Sequence, residues 1–464
     1  MKTLLSILLL FLAQFFFTQE IVGSWKGDLE IQGMKLPIIL NISKTEKGYS
    51  STLDSPNQSA TGIPVDNTQY QNGTLKIEVN KLNLQYSGKW NADKIEGTFS
   101  QNGLQIPLVL NVFKKEEKQA KTVGNLPKDL TPNLKNTEKF IAYLEKENIS
   151  SGGISIFKDG KEIYRRTFGE QNLPHFNKKN KLFQIGSITK TMTAVMMVQL
   201  ANENKLSFGD LLSKYFPQVP NAEKITLLQM LNHSSGLADY TDNNLEPQWL
   251  KRKATETEIF DHISKQASIF EPGTSVVYSN SAYYLLTKIL EKVSGKSFDE
   301  NLKVRILQPL GMKNTFPVNQ KPAYVFPSFE YKEKWTLVKD FDFTNVVGVG
   351  DIAAIPSDLN IFISALFDGK LIPLESLQEM LPEGNARFGE GIHTVPFHNK
   401  VFLGHSGGTY GTNSLMIHHK TDGLSVSYSL NASKINSKQF VSAVLGSLYG
   451  IEIDYPKLSN EKQP

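Results

Sequence analysis

Ser187-Ile188-Thr189-Lys190, led in by Leu182-Phe183-Gln184-Ile185-Gly186 and followed by Thr191 to Leu200, is the stretch on which the reading of this chain turns. If Ser187 opens a helix, the three-residue spacing sets Lys190 on the same face, one turn further on. A serine hydroxyl is a poor nucleophile at neutral pH and needs an adjacent proton acceptor. A lysine serves as that acceptor where burial or neighbouring charge lowers its pKa. Ile188, Met192, Val195, Met196 and Leu200 form an apolar stripe, which predicts a buried, central helix. Ser187 at its start gains free backbone N–H groups and the positive end of the helix dipole.

The Ser-x-x-Lys pattern also occurs at Ser155–Lys158 and Ser459–Lys462. Gly153–Phe157 and Glu162–Phe168 read as two strands joined by a hairpin turn at Lys158-Asp159-Gly160-Lys161, so Ser155 and Lys158 straddle a strand and its turn. Ser459 and Lys462 lie in a polar tail without a core. The second element is Tyr278-Ser279-Asn280, after a turn at Glu271-Pro272-Gly273-Thr274 and before a helix predicted from about Ala282 to Val293. In an extended segment the outer side chains of Tyr-x-Asn point the same way; a phenol relays a proton and an amide both donates and accepts. The same pattern at Tyr70–Asn72 precedes the nucleophile and reads as loop chemistry. Gly404-His405-Ser406-Gly407-Gly408-Thr409-Tyr410-Gly411 is the third element, whose glycines let a substrate approach the backbone closely. The other seven histidines read as structural, among them His233, which is expected to hold a loop or core hydrogen bond.

Composition frames these motifs. The chain has 464 residues, 40% of them hydrophobic and 21% charged, which suits a soluble globular protein with a large core. Fifty basic and 46 acidic residues leave a net charge of +4, and the lysines are scattered, so nucleic acid is not an expected partner. Met1-Lys2-Thr3 followed by the apolar run Leu4–Phe17 reads as a signal peptide over residues 1–19, too short to span a bilayer, and predicts export to the periplasm or medium without a stable membrane span. There is no cysteine, which excludes disulfides, thiolate catalysis and cysteine-bound metal.

Residues 20–113 are β-like: short alternating runs such as Leu29–Ile31, Thr74–Val79 and Leu82–Tyr86 between Gly, Asn, Asp and Ser punctuation predict a small antiparallel barrel or sandwich. Gly33–Ile42 and Gly103–Val112 echo one another, each with a proline best placed at a strand start or edge. Trp25 reads as a core plug. Residues 114–132 read as a linker, 133–455 as a second domain opened by a helix carrying Leu134, Phe140, Ile141 and Leu144, and 456–464 as a polar tail.

With Ser-x-x-Lys, Tyr-x-Asn and His-x-Gly in this order, the chain resembles the serine β-lactamase and penicillin-binding protein superfamily, most of all its class C-like carboxypeptidases, D-aminopeptidases and esterases. Leu182–Lys190, Ile225–Tyr240, Glu271–Tyr284 and Gly348–Phe362 resemble it too, and the likeness covers roughly Lys139 to Leu448. It implies an α/β (α+β) domain: an antiparallel sheet flanked by helices, beside a helical subdomain, with the small all-β domain in front. It also implies an acyl-enzyme on Ser187, with Lys190 as proton acceptor or activator and Tyr278 as proton relay. Asn280 would orient Lys190 and bind a substrate amide, with His405 and Gly407 at the substrate and the backbone N–H groups of Ser187 and Gly408 as oxyanion hole. No cofactor and no metal enter this reading. His405 stands where typical class C β-lactamases carry lysine, which ranks peptide, amide or ester hydrolysis above β-lactam hydrolysis. The substrate expected is a small molecule or peptide, cell-wall material included; the alternatives are β-lactamase or penicillin-binding activity, or a silent binding or sensor protein on the same fold. The sequence leaves the oligomeric state open.

Overall fold

A computed structural model describes residues 21–456 except 32–33, 47, 56–59, 92, 102–103, 114–125, 127–129, 175–176, 242–250, 339–340, 385 and 454. The expected signal segment, most of the expected linker and the Ser459–Lys462 pattern lie outside the described residues. The chain divides into two compact units, within Met1–Thr122 and within Val123–Pro464.

The first unit is a single antiparallel sheet. Its strands are β1 (Gly23–Ile31), β2 (Met34–Thr45), β3 (Gly48–Ser55), β4 (Ala60–Pro64), β5 (Asn67–Gln71), β6 (Thr74–Val79), β7 (Leu84–Asn91), β8 (Lys94–Gln101) and β9 (Leu104–Val112), in the order β4-β3-β2-β1-β9-β8-β7-β6-β5. The sheet curls back on itself: the Val65 N–H donates to the Ser51 carbonyl at 3.1 Å, and the Ser51 and Thr68 hydroxyls meet at 2.7 Å. The result is a half-barrel, whose inner residues Leu40, Leu75, Ile77, Ile95 and Leu110 are buried. Trp25 fills this core, its indole N–H donating to the Ile21 carbonyl at 2.8 Å. The two echoing segments form β2 and β9, the neighbours of β1 on either side. Their prolines are inside the strands rather than at strand starts, at positions that are locally an edge. Pro37 faces Asp28 ahead of the first β2–β3 pair at Ile39, and Pro107 faces Thr98 beyond the β1–β9 pairs at Trp25 and Lys26. Among the described residues each proline has a strand partner on one side, so its missing N–H breaks no second ladder there. Tyr70 ends up in β5, with Asn72 in the turn that follows at φ 50°.

The second unit is built on β10 (Ser150–Lys158), β11 (Lys161–Phe168), β12 (Phe183–Gln184), β13 (Thr315–Pro317), β14 (Phe329–Lys332), β15 (Lys334–Leu337), β16 (Ile352–Ala354), β17 (His393–Phe397), β18 (Lys400–Thr409), β19 (Thr412–His419) and β20 (Leu424–Ser433). The main sheet runs β11-β10-β20-β19-β18-β17, all antiparallel, with the β14–β15 hairpin joined to β20; β12-β16-β13 form a small second sheet. The β10–β11 hairpin turns on Asp159 and Gly160, both at positive φ, as a tight two-residue turn requires. Ser155 is buried within β10 and donates to Glu162 Oε1 at 2.8 Å, while Lys158 pairs with Asp159 at 2.7 Å, so this serine and lysine never meet.

Helices cover both faces of the main sheet. β20 alternates Leu424, Val426, Tyr428 and Leu430 with Ser425, Ser427 and Ser429. Its apolar face packs under α1 (Leu134–Lys146) and the Ser437–Leu448 helix, where Phe440 lies 5.9 Å from Phe140 and 4.5 Å from Tyr428 between ring centres. Its serine face meets the Pro356–Phe367 helix closely: Ser364 bonds Ser425 at 2.9 Å and Ser427 donates to Asn360 Oδ1 at 2.7 Å. Beside this sandwich, α2 (Thr189–Asn202), α3 (Leu227–Leu231), α4 (Glu256–Lys265) and α5 (Asn280–Ser294) form the helical part.

The stripe predicted for α2 is too narrow a description. Thr189, Lys190, Thr191 and Thr193 are as buried as Met192 and Met196, so the helix is enclosed all round. Its threonines make this tolerable by donating to the Gly186, Gly391 and Gly348 carbonyls at 2.8, 2.7 and 2.7 Å. Replacing Phe140, which is fully buried, with alanine is expected to lower the unfolding free energy by about 3–5 kcal/mol, measured by urea titration.

Candidate active site

A tight turn places Ser187. Gly186–Ile188 is a 3₁₀ turn that runs straight into α2, so Ser187 sits just ahead of the helix and Lys190, its second residue, one turn on from Ser187. The Lys190 Nζ lies 3.0 Å from Ser187 Oγ and donates to the Val349 carbonyl at 2.9 Å. The lysine is wholly buried, and burial pulls its pKa down to about 7 against the opposing pull of Asp239. Val349 is held in turn: the Gly348 N–H donates to Asp351 Oδ1 at 2.9 Å and the Gly348 carbonyl accepts from Thr193. Burial raises Asp351 to about 8.

The third motif comes against this turn. β17 pairs with β18 only as far as Gly404, so His405–Thr409 has β19 on one side and the Ser187 turn on the other. The approach is so close that side chains are excluded. Gly186 has φ 52°, and a Cβ on it would lie 2.7 Å from the Gly408 nitrogen; a Cβ on Gly407 would lie 1.9 Å from the Ile185 carbonyl oxygen and 3.0 Å from the Ser187 nitrogen. The backbones of Ser187 and Gly408 thus border a cleft of about 280 Å³, which Asn280, Thr241, Phe341 and Tyr410 also line. None of the described residues lining it is charged.

Tyr278 stands over Lys190, with the Nζ 5.0 Å from its ring centre. Its hydroxyl is shut from solvent without a hydrogen bond of good geometry; burial pushes the phenol pKa up, while the neighbouring Ser187 hydroxyl acts the other way. His233 cradles this segment. Its carbonyl accepts from the Val277 N–H at 3.0 Å, its Nδ1 accepts from the Ser279 N–H at 3.2 Å, and its ring lies 4.4 Å from that of Tyr278. The structural role expected for His233 is therefore joined to direct contact with Tyr278, which sequence spacing did not signal.

His405 lies behind Tyr278 rather than in the cleft lining, 1% exposed, with its Nδ1 2.5 Å from the Ser406 carbonyl oxygen. Burial first, and Lys190 second, lower its pKa to about 3, so it is a neutral imidazole across the physiological range. His393, which the sequence did not single out, packs on it with ring centres 3.8 Å apart and is likewise held neutral by burial.

Asn280 is the first residue of α5, behind the Ser279 cap, whose Oγ accepts from the Ala282 N–H. The expected bond from Asn280 to Lys190 is not made. The Asn280 amide nitrogen donates to Asp239 Oδ2 and to Thr241 Oγ1, both at 2.8 Å, and Val349 takes the orienting role at Lys190. Of the predicted site residues, Ser187, Asn280 and Gly408 line the cleft, while Lys190, Tyr278 and Gly407 lie behind its wall, Lys190 on the Ser187 hydroxyl, Tyr278 over Lys190 and Gly407 against the Ser187 turn. Among the described residues, no group of histidines and carboxylates has the geometry to hold a metal ion.

Residues 136–445 match the Beta-lactamase family. The chain belongs to that family. It is accordingly a serine hydrolase. A putative penicillin-binding protein, PbpX, of Bacillus subtilis is 28% identical over 66% of this chain and 78% of its own length. A teichoic acid D-alanine hydrolase of Staphylococcus aureus is 24% identical over 60% of the chain and 69% of its own. In fold, the second unit is similar to a D-stereospecific amidohydrolase from Streptomyces sp., with TM-score 0.60, 23% identity, and coverage of 68% of this chain and 98% of that one. It is equally similar to a D-amino acid amidase from Ochrobactrum anthropi, with TM-score 0.60, 22% identity, and coverage of 68% and 99%.

Gly407→Ala forces the nucleophile turn off β18 and is expected to lower kcat/KM by about 100-fold or more, measured with any acyl ester that wild type turns over. The neutral form of Lys190, which can accept a proton, grows as pH rises through about 7. The rate of Ser187 labelling by a fluorophosphonate is therefore expected to rise with pH across that value.

Proposed function

We propose that this hydrolase cleaves small amides or esters of amino acids, D-amino acids in particular, through an acyl-enzyme on Ser187. The 3.0 Å approach of Lys190 Nζ to Ser187 Oγ, with the lysine buried, is the observation that carries this reading. Ser187 Oγ attacks the substrate carbonyl and its proton passes to the neutral Lys190 amine. The oxyanion takes hydrogen bonds from the Ser187 and Gly408 N–H groups, each worth about 3 kcal/mol or more in the transition state. Collapse of the tetrahedral intermediate breaks the bond to the leaving group, which takes up the proton relayed through Tyr278. Water then attacks the ester, gives up a proton by the same route and restores the Ser187 hydroxyl.

The cleft supports the choice of substrate. Its described lining holds no cation, and His405 is neutral and set back, so a substrate carboxylate finds no partner there. At about 280 Å³ it suits a small acyl group better than a bulky one. The relatives that act on D-amino acid amides and on D-alanine of teichoic acid support the D configuration. The same reading makes peptide or ester material of the cell envelope the natural substrate. The apolar run near the N-terminus supports export, and among the described residues no helix is long and apolar enough to cross a membrane. We read 20–113 as a separate domain ahead of the hydrolase domain at 133–455.

Wild type should hydrolyse D-alanine p-nitroanilide or short D-alanyl esters faster than their L counterparts, and benzylpenicillin slowly if at all. Ser187→Ala should lose both turnover and fluorophosphonate labelling. Equal labelling of wild type and Ser187→Ala would remove the nucleophile; rapid penicillin turnover with none of the amino acid derivatives would transfer the protein to the β-lactamases.

A further inference from the structure

The Asn280 amide is fixed in one orientation by groups that nothing above assigns to binding. Asp239 accepts four hydrogen bonds: Oδ1 from the Thr241 N–H and hydroxyl, both at 2.8 Å, and Oδ2 from the Asn280 N–H at 3.1 Å and its Nδ2 at 2.8 Å. A carboxylate only accepts, so it must face the NH₂ end of the amide. Thr241 gives its one hydroxyl hydrogen to Asp239, so its oxygen must accept from the second Asn280 N–H, at 2.8 Å. Turning the amide over would bring its oxygen against Asp239 Oδ2 with no hydrogen between them, and Thr241 could answer it only by giving up its own bond to Asp239. Both amide hydrogens are thereby used. The Oδ1 remains, without a partner among the described residues, on a side chain that lines the cleft, and it is not among the polar atoms shut from solvent.

We propose that Asp239 sets the hydrogen-bond polarity of the acyl subsite, holding Asn280 as an acceptor that selects substrates with an N–H beside the scissile carbonyl. The inference rests on the acyl-enzyme reading above. It names the substrate class as aminoacyl or acylaminoacyl derivatives, whose α-nitrogen can donate to Asn280 Oδ1. An acyl group that places a carbonyl or ether oxygen there meets a second acceptor instead. Asp239 acts through Asn280 and is a positioning residue; Thr241 completes the lock.

The test compares p-nitrophenyl esters of N-acetyl-D-alanine, its N-methyl derivative, (R)-2-acetoxypropanoic acid and D-alanine itself. The two esters that carry an α-N–H should exceed the N-methyl and acetoxy esters by about tenfold in kcat/KM. The free-amine and acetylamino arms distinguish an ammonium donor from an amide donor. In Asp239→Asn, whose side chain both donates and accepts, Asn280 is released to turn and the preference should fall to within about twofold; Thr241→Ser should retain it. Equal rates for acetylamino and acetoxy esters in wild type overturn the proposal, even if no variant folds, and a preference unchanged in Asp239→Asn removes Asp239 from it. If Ser187 takes neither a fluorophosphonate nor any ester, the acyl-enzyme reading fails and takes this inference with it.

Discussion

An amine with no access to water, touching a serine hydroxyl, sets the terms for everything around it. Burial that moves Lys190 from 10.5 to about 7 disfavours its protonated form by about 5 kcal/mol. The fold has to supply that environment and still give the nitrogen hydrogen-bond partners, because a buried polar group without them is costly. Val349 and Ser187 are those partners. The loop carrying Val349 is tied to α2 through Thr193 and to Asp351, so the acceptor for the amine is part of the same packed assembly as the amine.

The second constraint is steric. Two backbones meet where Gly186 and Gly407 leave no room for a Cβ, and this meeting brings Ser187 and Gly408 to the border of one cleft. Around them none of the described residues of the cleft wall is charged. His405 and His393 stack as neutral rings, and His233 fixes the backbone on both sides of Tyr278 while resting against its ring. Beside this wall stand the buried Lys190 amine and Asp239, whose two oxygens are each engaged by Thr241 and Asn280.

Local patterns carried much of this in the sequence. The Asp159-Gly160 turn and the Ser-x-x-Lys spacing are set by neighbouring residues, so their geometry could be read from a few positions. The family likeness supplied the order of the three motifs. What could not be read depends on contacts between distant segments. Val349 reaches Lys190 across 159 residues, and His393 meets His405 by cross-strand neighbourhood of β17 and β18. Asn280 was expected to serve Lys190, but Asp239, 41 positions away, offers a carboxylate and wins the amide. The all-round burial of α2 was hidden because its threonines look polar in sequence and are satisfied only by carbonyls of other segments. The prolines of β2 and β9 meet the expectation of an edge only locally, because an edge is a property of the assembled sheet at one residue, not of a strand as a whole.

The enclosure of α2 also bears on how the enzyme fails. A site on a surface loop frays by local opening long before its domain melts. Here the amine and the segment that carries the hydroxyl are fixed to a helix buried at every position from Thr189 to Val198, so disassembling the site means dismantling the core itself. Heat inactivation is therefore expected to coincide with unfolding of this core instead of preceding it, with the amide hydrogens of the buried helix among the slow exchangers.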